Sequence, residues 1–334
     1  MWLTPSWIKS QFTALPIPPA SSFEGGTYIV TGANSGLGLE CAKHLVRLGA
    51  TRVIMAVRSQ TRGEEAKGKI ESETGRIGVA EVWPLDLASY DSIKSFADKA
   101  TTGLATIDAL IENASLSMGT WTEAEGVETT IAVNVLGTFL LAMLLLPKLK
   151  QSVSSKRTPH LVIVGSGAGF TGQAGVLEAI NGNIIDELNN KDYGWSMDVA
   201  RYSVSKLIQS YLTREIASRY SDVDKAVVIN CVHPGLSSTG LARYGSFTIR
   251  IILNTMMVLI GRSADMGSRN LLYAATAGKE SHGKYLADCG LAESRVPNWA
   301  ADVNGKAMQE KVWNDVSTHL SNIAPGCIER AFAK

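Results

Sequence analysis

An excess of charge of either sign is the first thing this chain lacks. Its 334 residues carry 32 lysines and arginines against 31 aspartates and glutamates, a formal net charge of +1. So even a balance removes the electrostatic case for a nucleic acid or a strongly acidic partner. Cysteine is scarce, and Cys41, Cys231, Cys289 and Cys327 lie far apart with no Cys-x-x-Cys pair. That spacing suits reduced thiols and a cytoplasmic location. The five histidines are scattered, none three or four residues from another, so no metal site is expected. Long apolar runs are missing too. Thr138–Leu146 and Ile249–Ile260 are too short to span a bilayer and read as buried or pocket-lining helices. The N-terminal MWLTPSWIKSQFTALPIPPASSF has neither the basic start nor the continuous apolar core of a secretory signal. Its Trp2, Leu3, Trp7, Ile8, Phe12 and Leu15 fall near a helical period. Residues 1–22 therefore read either as an arm packed on the body of the fold or as a shallow membrane contact.

Hydrophobic residues make up 45% of the chain, enough for one large α/β core. Apolar strands are expected at Tyr28–Val30, Val53–Val57, Ala80–Pro84, Ala109–Ile111, Leu161–Val164 and Ala226–Val232. Helical patterns fall between them at Leu37–Leu48, Gly63–Thr74, Tyr90–Ala100, Val127–Leu149 and Ala200–Tyr220. Strands apolar on both faces, alternating with amphipathic helices, predict a single doubly wound parallel sheet over residues 23–334. Two stretches break the rhythm: an insertion at about 167–199, expected to carry a helix of its own, and a segment at about 235–269. Both follow carboxyl ends of strands, where open α/β sheets place their ligands.

The first strand runs into Thr31-Gly32-Ala33-Asn34-Ser35-Gly36-Leu37-Gly38 and then into a helix. Strand, glycine turn and helix bring bare backbone N–H groups and a positive helix end to a phosphate. The spacing is Gly-x3-Gly-x-Gly rather than Gly-x-Gly-x-x-Gly, and taken alone the turn is equally an ordinary one. Tyr202 and Lys206 stand four apart on one helix face. That pair is either a solvated helix pair or a phenol with a pKa near ~10 drawn down by an ammonium. Ser166 follows an apolar strand, either as a turn residue or with its hydroxyl aimed at a carbonyl above the sheet edge. It lacks the Gly-x-Ser-x-Gly elbow of a hydrolase, because Val164 and Ala168 flank it.

In order along nearly the whole chain stand the Thr31–Gly38 turn, Asp86-Leu87, Asn113-Ala114, Asn134, Ser166, Tyr202–Lys206, Pro234-Gly235 with Thr239, and Gly283-Lys284-Tyr285-Leu286. This series resembles the short-chain dehydrogenase/reductase family, in particular members similar to retinol dehydrogenases and to carbonyl reductases of fungal metabolite pathways. The resemblance implies a Rossmann-type fold and roles for individual residues. Tyr202 would exchange a proton with the substrate oxygen, and Ser166 would hydrogen-bond that oxygen. Lys206 would hold the nicotinamide ribose and depress the tyrosine pKa, while Asn134 would support a water-linked proton relay through Lys206. Gly32, Asn34, Ser35, Gly36, Leu37 and Gly38 would cradle the dinucleotide phosphates. Asp86 and Leu87 would lie at the adenine, Asn113 and Ala114 near the ribose, and Pro234, Gly235 and Thr239 at the carboxamide.

Cofactor choice rests on charge. The second strand ends Met55-Ala56-Val57-Arg58-Ser59, without the carboxylate that binds an NAD ribose. Arg58 suits a 2′-phosphate, so NADP(H) is expected; Arg62 either assists or is a surface charge. Two features depart from the family pattern. Its Asn-Asn-Ala-Gly segment reads Glu112-Asn113-Ala114-Ser115 here, and Ser166 and Tyr202 stand 36 positions apart, more than in simple members. The longer insertion leaves monomer and homodimer both open. The function expected is oxidoreduction between a carbonyl and an alcohol on a small, bulky hydrophobic molecule. The alternative is a non-redox cyclase, isomerase or dinucleotide-binding scaffold of the same fold.

Overall fold

The computed structural model describes residues 4–155, 157–171, 174–191, 199–220, 227–237, 240, 244 and 247–333. Eight strands form the central sheet: β1 (Thr27–Thr31), β2 (Arg52–Val57), β3 (Ala80–Pro84), β4 (Ala109–Glu112), β5 (His160–Val164), β6 (Val228–His233), β7 (Tyr285–Ala287) and β8 (Gly290–Leu291). Their spatial order is β8-β7-β6-β5-β4-β1-β2-β3, parallel throughout except for the β7–β8 pair. Alternation explains why both faces are covered. In β2, Ile54 and Ala56 join one core while Val53, Met55 and Val57 join the other. The neighbouring strands repeat this: Ile29, Leu110 and Ile163 face one side, and Val30, Ile111 and Val162 the other. Each such Val, Leu, Ile or Met side chain contributes roughly 1.5–3 kcal/mol on burial.

On the second face pack α2 (Gly36–Arg47), α3 (Gln60–Thr74) and, later in the chain, Ala264–Ala274; on the first pack α4 (Tyr90–Gly103), α5 (Thr138–Gln151) and α6 (Val199–Arg219). Tyr28 pairs with Val53 of β2 and with Ala109 of β4. The chain thus winds outward from β1 through β2 and β3, then returns to β1's other edge. That reversal opens a crevice at the carboxyl ends of β1 and β4.

Several expected elements differ in detail. The helix expected from Val127 opens instead with a short strand, Val127–Glu128, paired with Glu123–Ala124. A helical turn at Thr129–Ile131 follows, then a π-helical turn, Ala132–Gly137, before α5. The Thr138 hydroxyl donates to the Val133 carbonyl (3.1 Å), five residues back, which stabilises the wider turn. With Thr129–Gln151 continuous, this stretch is long and apolar enough to cross a membrane, contrary to the estimate from its apolar run. Yet 89% of its most apolar stretch is buried inside the fold. A helix apolar all round is a core helix when protein surrounds it.

In the insertion, Leu177 on a short helix Ala174–Glu178, Ile180 just beyond it, and Ile184, Ile185 and Leu188 on a second short helix Ile184–Leu188 sit in the core. Tyr193, Gly194, Trp195 and Met197 lie outside the described residues. The later excursion forms α7 (Phe247–Ile260) and α8 (Ala264–Ala274). One face of α7 carries Leu253, Met256 and Met257 into the cleft, but Ile251, Ile252, Val258 and Leu259 face outward and are exposed. The expectation of a buried or pocket-lining helix is therefore met on one face only. At the N-terminus α1 (Pro5–Gln11) is capped by Thr4, whose hydroxyl accepts from Trp7 N–H (3.2 Å). Beyond it, Leu15 and Phe23 are buried, and Arg269 donates to the Leu15 carbonyl (2.7 Å). Phe12 stays exposed, and residues 1–3, with Trp2 and Leu3, lie outside the described residues.

Candidate active site

The glycine turn closes β1 into α2. Gly32 and Gly36 have φ of +67° and +56°, a conformation that disfavours any side chain. Gly38 is needed for closeness instead: a Cβ there would lie 2.6 Å from the Gly32 carbonyl oxygen and from Asn113 Nδ2. Ser35 occupies the N-cap of α2 but makes no side-chain cap, so the first-turn N–H groups stay available to an anion. Asn34, Ser35, Gly36 and Leu37 line a cleft of about 430 Å³ that also touches Asn113 and Ala114. These last two are held by Thr31, whose hydroxyl accepts from both their N–H groups (2.9 Å each). Asn113 Nδ2 donates to the Thr31 carbonyl (2.8 Å).

On the far wall of this cleft stand Ser166, Tyr202 and Lys206. Ser166 caps the turn Gly167–Phe170 by accepting from Ala168 N–H (3.2 Å), which fixes its hydroxyl just beyond β5. It is hydrogen-bonded to the Tyr202 phenol. Burial pushes the Tyr202 pKa up to about 12, against the lowering effect of Ser166. Desolvation of the phenolate sets the direction of this shift, and the Lys206 ammonium stands 5.6 Å from the ring centre. Lys206 is buried as well, and desolvation pulls its pKa down to about 8. Its Nζ donates to the Val164 carbonyl (2.8 Å) and to Gln209 Oε1 (2.9 Å).

Asn134 lies in the π-helical turn, its side chain fully committed. It donates to the Leu116 carbonyl (2.8 Å) and to Ser205 Oγ (3.0 Å), and accepts from Leu116 N–H (3.0 Å). Its backbone carbonyl accepts from Gln209 Nε2 (2.6 Å). The link from Asn134 to Lys206 thus runs through the Gln209 amide, which sequence reasoning missed although Gln209 sits three residues beyond Lys206. His233 was missed too. It ends β6, lines the cleft and accepts from Gly167 N–H through Nδ1 (3.3 Å), anchoring the turn behind Ser166. Burial lowers its pKa to about 4, so it is neutral at physiological pH. Its place before Pro234, at a strand's carboxyl end, was the available signal.

A smaller cavity of about 110 Å³ continues past Gly32 and Asn34 to Arg58, Arg62, Asp86 and Leu87. Arg58 donates to the Tyr244 hydroxyl (3.3 Å), which brings Tyr244 over this end. Asp86 Oδ1 accepts from Ala88 N–H (3.0 Å). Pro234 and Gly235 border the main cleft, whereas Thr239 lies outside the described residues. Elsewhere Glu40, His44 and Asp265 bring three ligand-type atoms within 4.8 Å of one another. Their carboxylates already carry cations, Lys43 on Glu40 (2.7 Å) and Arg269 on Asp265 (2.8 Å), which makes the group an ion-pair cluster.

A parallel sheet with a glycine turn at its switch point, facing a Ser–Tyr–Lys wall, defines a Rossmann-type protein of the nicotinamide oxidoreductase class. Comparison with known proteins places it further. The short chain dehydrogenase family model matches residues 27–178. The short chain dehydrogenase/reductase dmxR8 of Cryptosporiopsis sp. is 38% identical over 94% of this chain and 96% of its own length. The short chain dehydrogenase atnD of Emericella nidulans is 42% identical over 84% and 90%. Among solved structures, a short chain dehydrogenase from Shigella flexneri complexed with NADP has the same fold (TM-score 0.59, 21% identity, 81% of this chain and 100% of that one). The chain belongs to the short-chain dehydrogenase/reductase family of oxidoreductases.

Proposed function

We propose that the protein is an NADP(H)-dependent oxidoreductase interconverting a ketone or aldehyde with its alcohol on a bulky, mostly hydrophobic substrate. The observation that carries this reading is the convergence of Tyr202, Ser166 and Lys206 on the cleft that the glycine turn also lines. The residues fit a dinucleotide. The uncapped first turn of α2 would receive the phosphates, and the space beside Gly32 and Gly38 is one that a Cβ would fill. Arg58 and Arg62 at the smaller cavity would receive a 2′-phosphate, with Asp86 and Leu87 at the adenine. Lys206 would meet the nicotinamide ribose and the Pro234–Ser237 turn the carboxamide. The cofactor, when bound, supplies or accepts the hydride.

The remaining chemistry belongs to the chain. Tyr202, held as a neutral phenol by burial, is set to donate its proton to an oxygen gaining negative charge. Before substrate binds Ser166 is hydrogen-bonded to that phenol, and with substrate in place its single proton would turn to the same substrate oxygen as a second hydrogen bond. Lys206, tied to Val164 and Gln209, keeps a positive charge beside the phenol below a pH of about 8. Leu253, Met256 and Met257 form an apolar wall opposite, which favours a polyketide-, terpenoid- or retinoid-like carbonyl. Tyr202→Phe should lower turnover by at least about a hundredfold, the range for loss of a general acid. NADPH affinity, followed by nicotinamide fluorescence, should stay near the wild-type value. Retained turnover would overturn the assignment. Transfer of deuterium from 4-deuterated NADPH into product separates this reading from a cyclase, isomerase or scaffold, which would transfer none.

A further inference from the structure

The turn that closes the cleft after β6 is held by residues far away in sequence. Gly235 has a φ of +84°, and the backbone groups around it lie outside the named strands. Three of them find partners. The Leu236 N–H donates to Gln11 Oε1 (2.9 Å), the Leu236 carbonyl accepts from Arg262 N–H (2.7 Å), and the Pro234 carbonyl accepts from Arg262 Nη1 (3.4 Å). Arg262 is itself buried, paired with Asp288 (2.5 Å) and donating to the Ser10 carbonyl of α1. Gln11 is only 5% exposed. A Cβ on Gly235 would lie 2.7 Å from Arg262 Nη1 and 3.1 Å from Gln11 Oε1, so both side chains are seated directly against the turn. Pro234, Gly235, Leu236 and Ser237 all face the cleft on their other side.

We propose that α1 is part of the working site, with Gln11 a positioning residue that holds the nicotinamide-facing turn through the Leu236 N–H. A backbone N–H drawn partly out of water needs an acceptor, and at this part-buried position Gln11 supplies it. Without that acceptor the turn would move towards one that satisfies Leu236 elsewhere, and the surface offered to the carboxamide would move with it. The inference rests on the reading of the Pro234–Ser237 turn as the carboxamide contact.

The test compares two probes on the full chain. On the proposed reading NADPH would span both ends of the cleft, whereas adenosine 2′,5′-bisphosphate would occupy only the Arg58 end. Gln11→Leu should weaken NADPH binding about five- to tenfold, the effect of one lost hydrogen bond, and leave the bisphosphate unchanged. Gln11→Glu, which keeps an acceptor oxygen, should bind both probes like the wild type. Gly235→Ala serves as the reference for a turn disturbed directly. If Gly235→Ala weakens NADPH but Gln11→Leu does not, the positioning role is overturned and the cofactor reading stands. If neither weakens it, the carboxamide assignment of the turn falls as well. Equal loss of both probes in Gln11→Leu would mean a general structural defect and would also overturn the proposal.

Discussion

Glu112 shows how much one residue can alter a familiar site. It ends β4 fully buried, and its Oε1 makes no hydrogen bond among the described residues. Thr31 uses its acceptor capacity on Asn113 and Ala114, so its own proton points to Glu112 Oε2 (3.4 Å). Desolvation outweighs that single bond and raises the Glu112 pKa well above 4.5. The sign follows from linkage. A carboxyl whose folded pKa is raised binds its proton more tightly when folded, so its contribution is intact below 4.5 and is lost as pH climbs through the folded value. Glu112→Gln removes the titration. The mutant and wild type should therefore be closest in stability near pH 4.5, and the mutant should gain on the wild type as pH rises, by at most about 1.4 kcal/mol per pH unit. Unfolding curves between pH 4.5 and 8 measure this. A gap that does not change with pH would show that Glu112 ionises normally. At this scale the charged and aromatic partners were legible, because Tyr202 and Lys206 have a motif and a chemical reason for it. The neutral ones, Gln11, Gln209 and His233, were not, since an amide or neutral imidazole gains its role only from what it touches.

Among elements, the packing of the Ser166 turn on α6 sets the spacing between Ser166 and Tyr202, the pair proposed to act on the substrate oxygen. Gly169 lies flat against that helix: a Cβ there would stand 2.7 Å from Leu207 N and 2.9 Å from the Lys206 carbonyl carbon. Backbone cannot yield as a side chain can, so Gly169→Ala must separate the turn from the helix. We expect a stability loss of about 1–3 kcal/mol and a kcat lower by about ten- to a hundredfold from the displaced Ser166. Gly175→Ala is the control, because nothing lies within 4 Å of the added atom. If both substitutions leave kcat unchanged, the turn does not set the spacing. The first six strands and the helices between them were readable from apolar strands alternating with amphipathic helices, while the long helix Val303–Ile323, the π-helical turn and the β7–β8 hairpin were not. The hairpin strands span three and two residues, too few to show a period, and their turn uses Asp288 and Cys289 at φ of 52° and 55° where glycine is usual. In the insertion, Leu177, Ile180, Ile184, Ile185 and Leu188 went into the core, and α7 supplies Leu253, Met256 and Met257 to the cleft.

For the whole molecule, the cleft joins β1, β4, β5 and β6 with α2 and α6, so a ligand filling it should stabilise the fold as one unit. At about a hundred times its Kd, NADPH should add about 2.7 kcal/mol. NADH at the same concentration should add less, because it has no 2′-phosphate for Arg58 and Arg62. Thermal melts with each dinucleotide read this directly, and equal shifts would remove the argument for NADP(H). The strand–helix order, the parallel sheet and the chemical identity of the Ser–Tyr–Lys wall were determined by sequence alone, because periodicity and residue type act locally. Which apolar residues line the cleft, which amides bind the site together, and that burial holds Tyr202 protonated were decided only by tertiary structure. The reason is that desolvation and hydrogen-bond partnership depend on neighbours that chain order does not reveal.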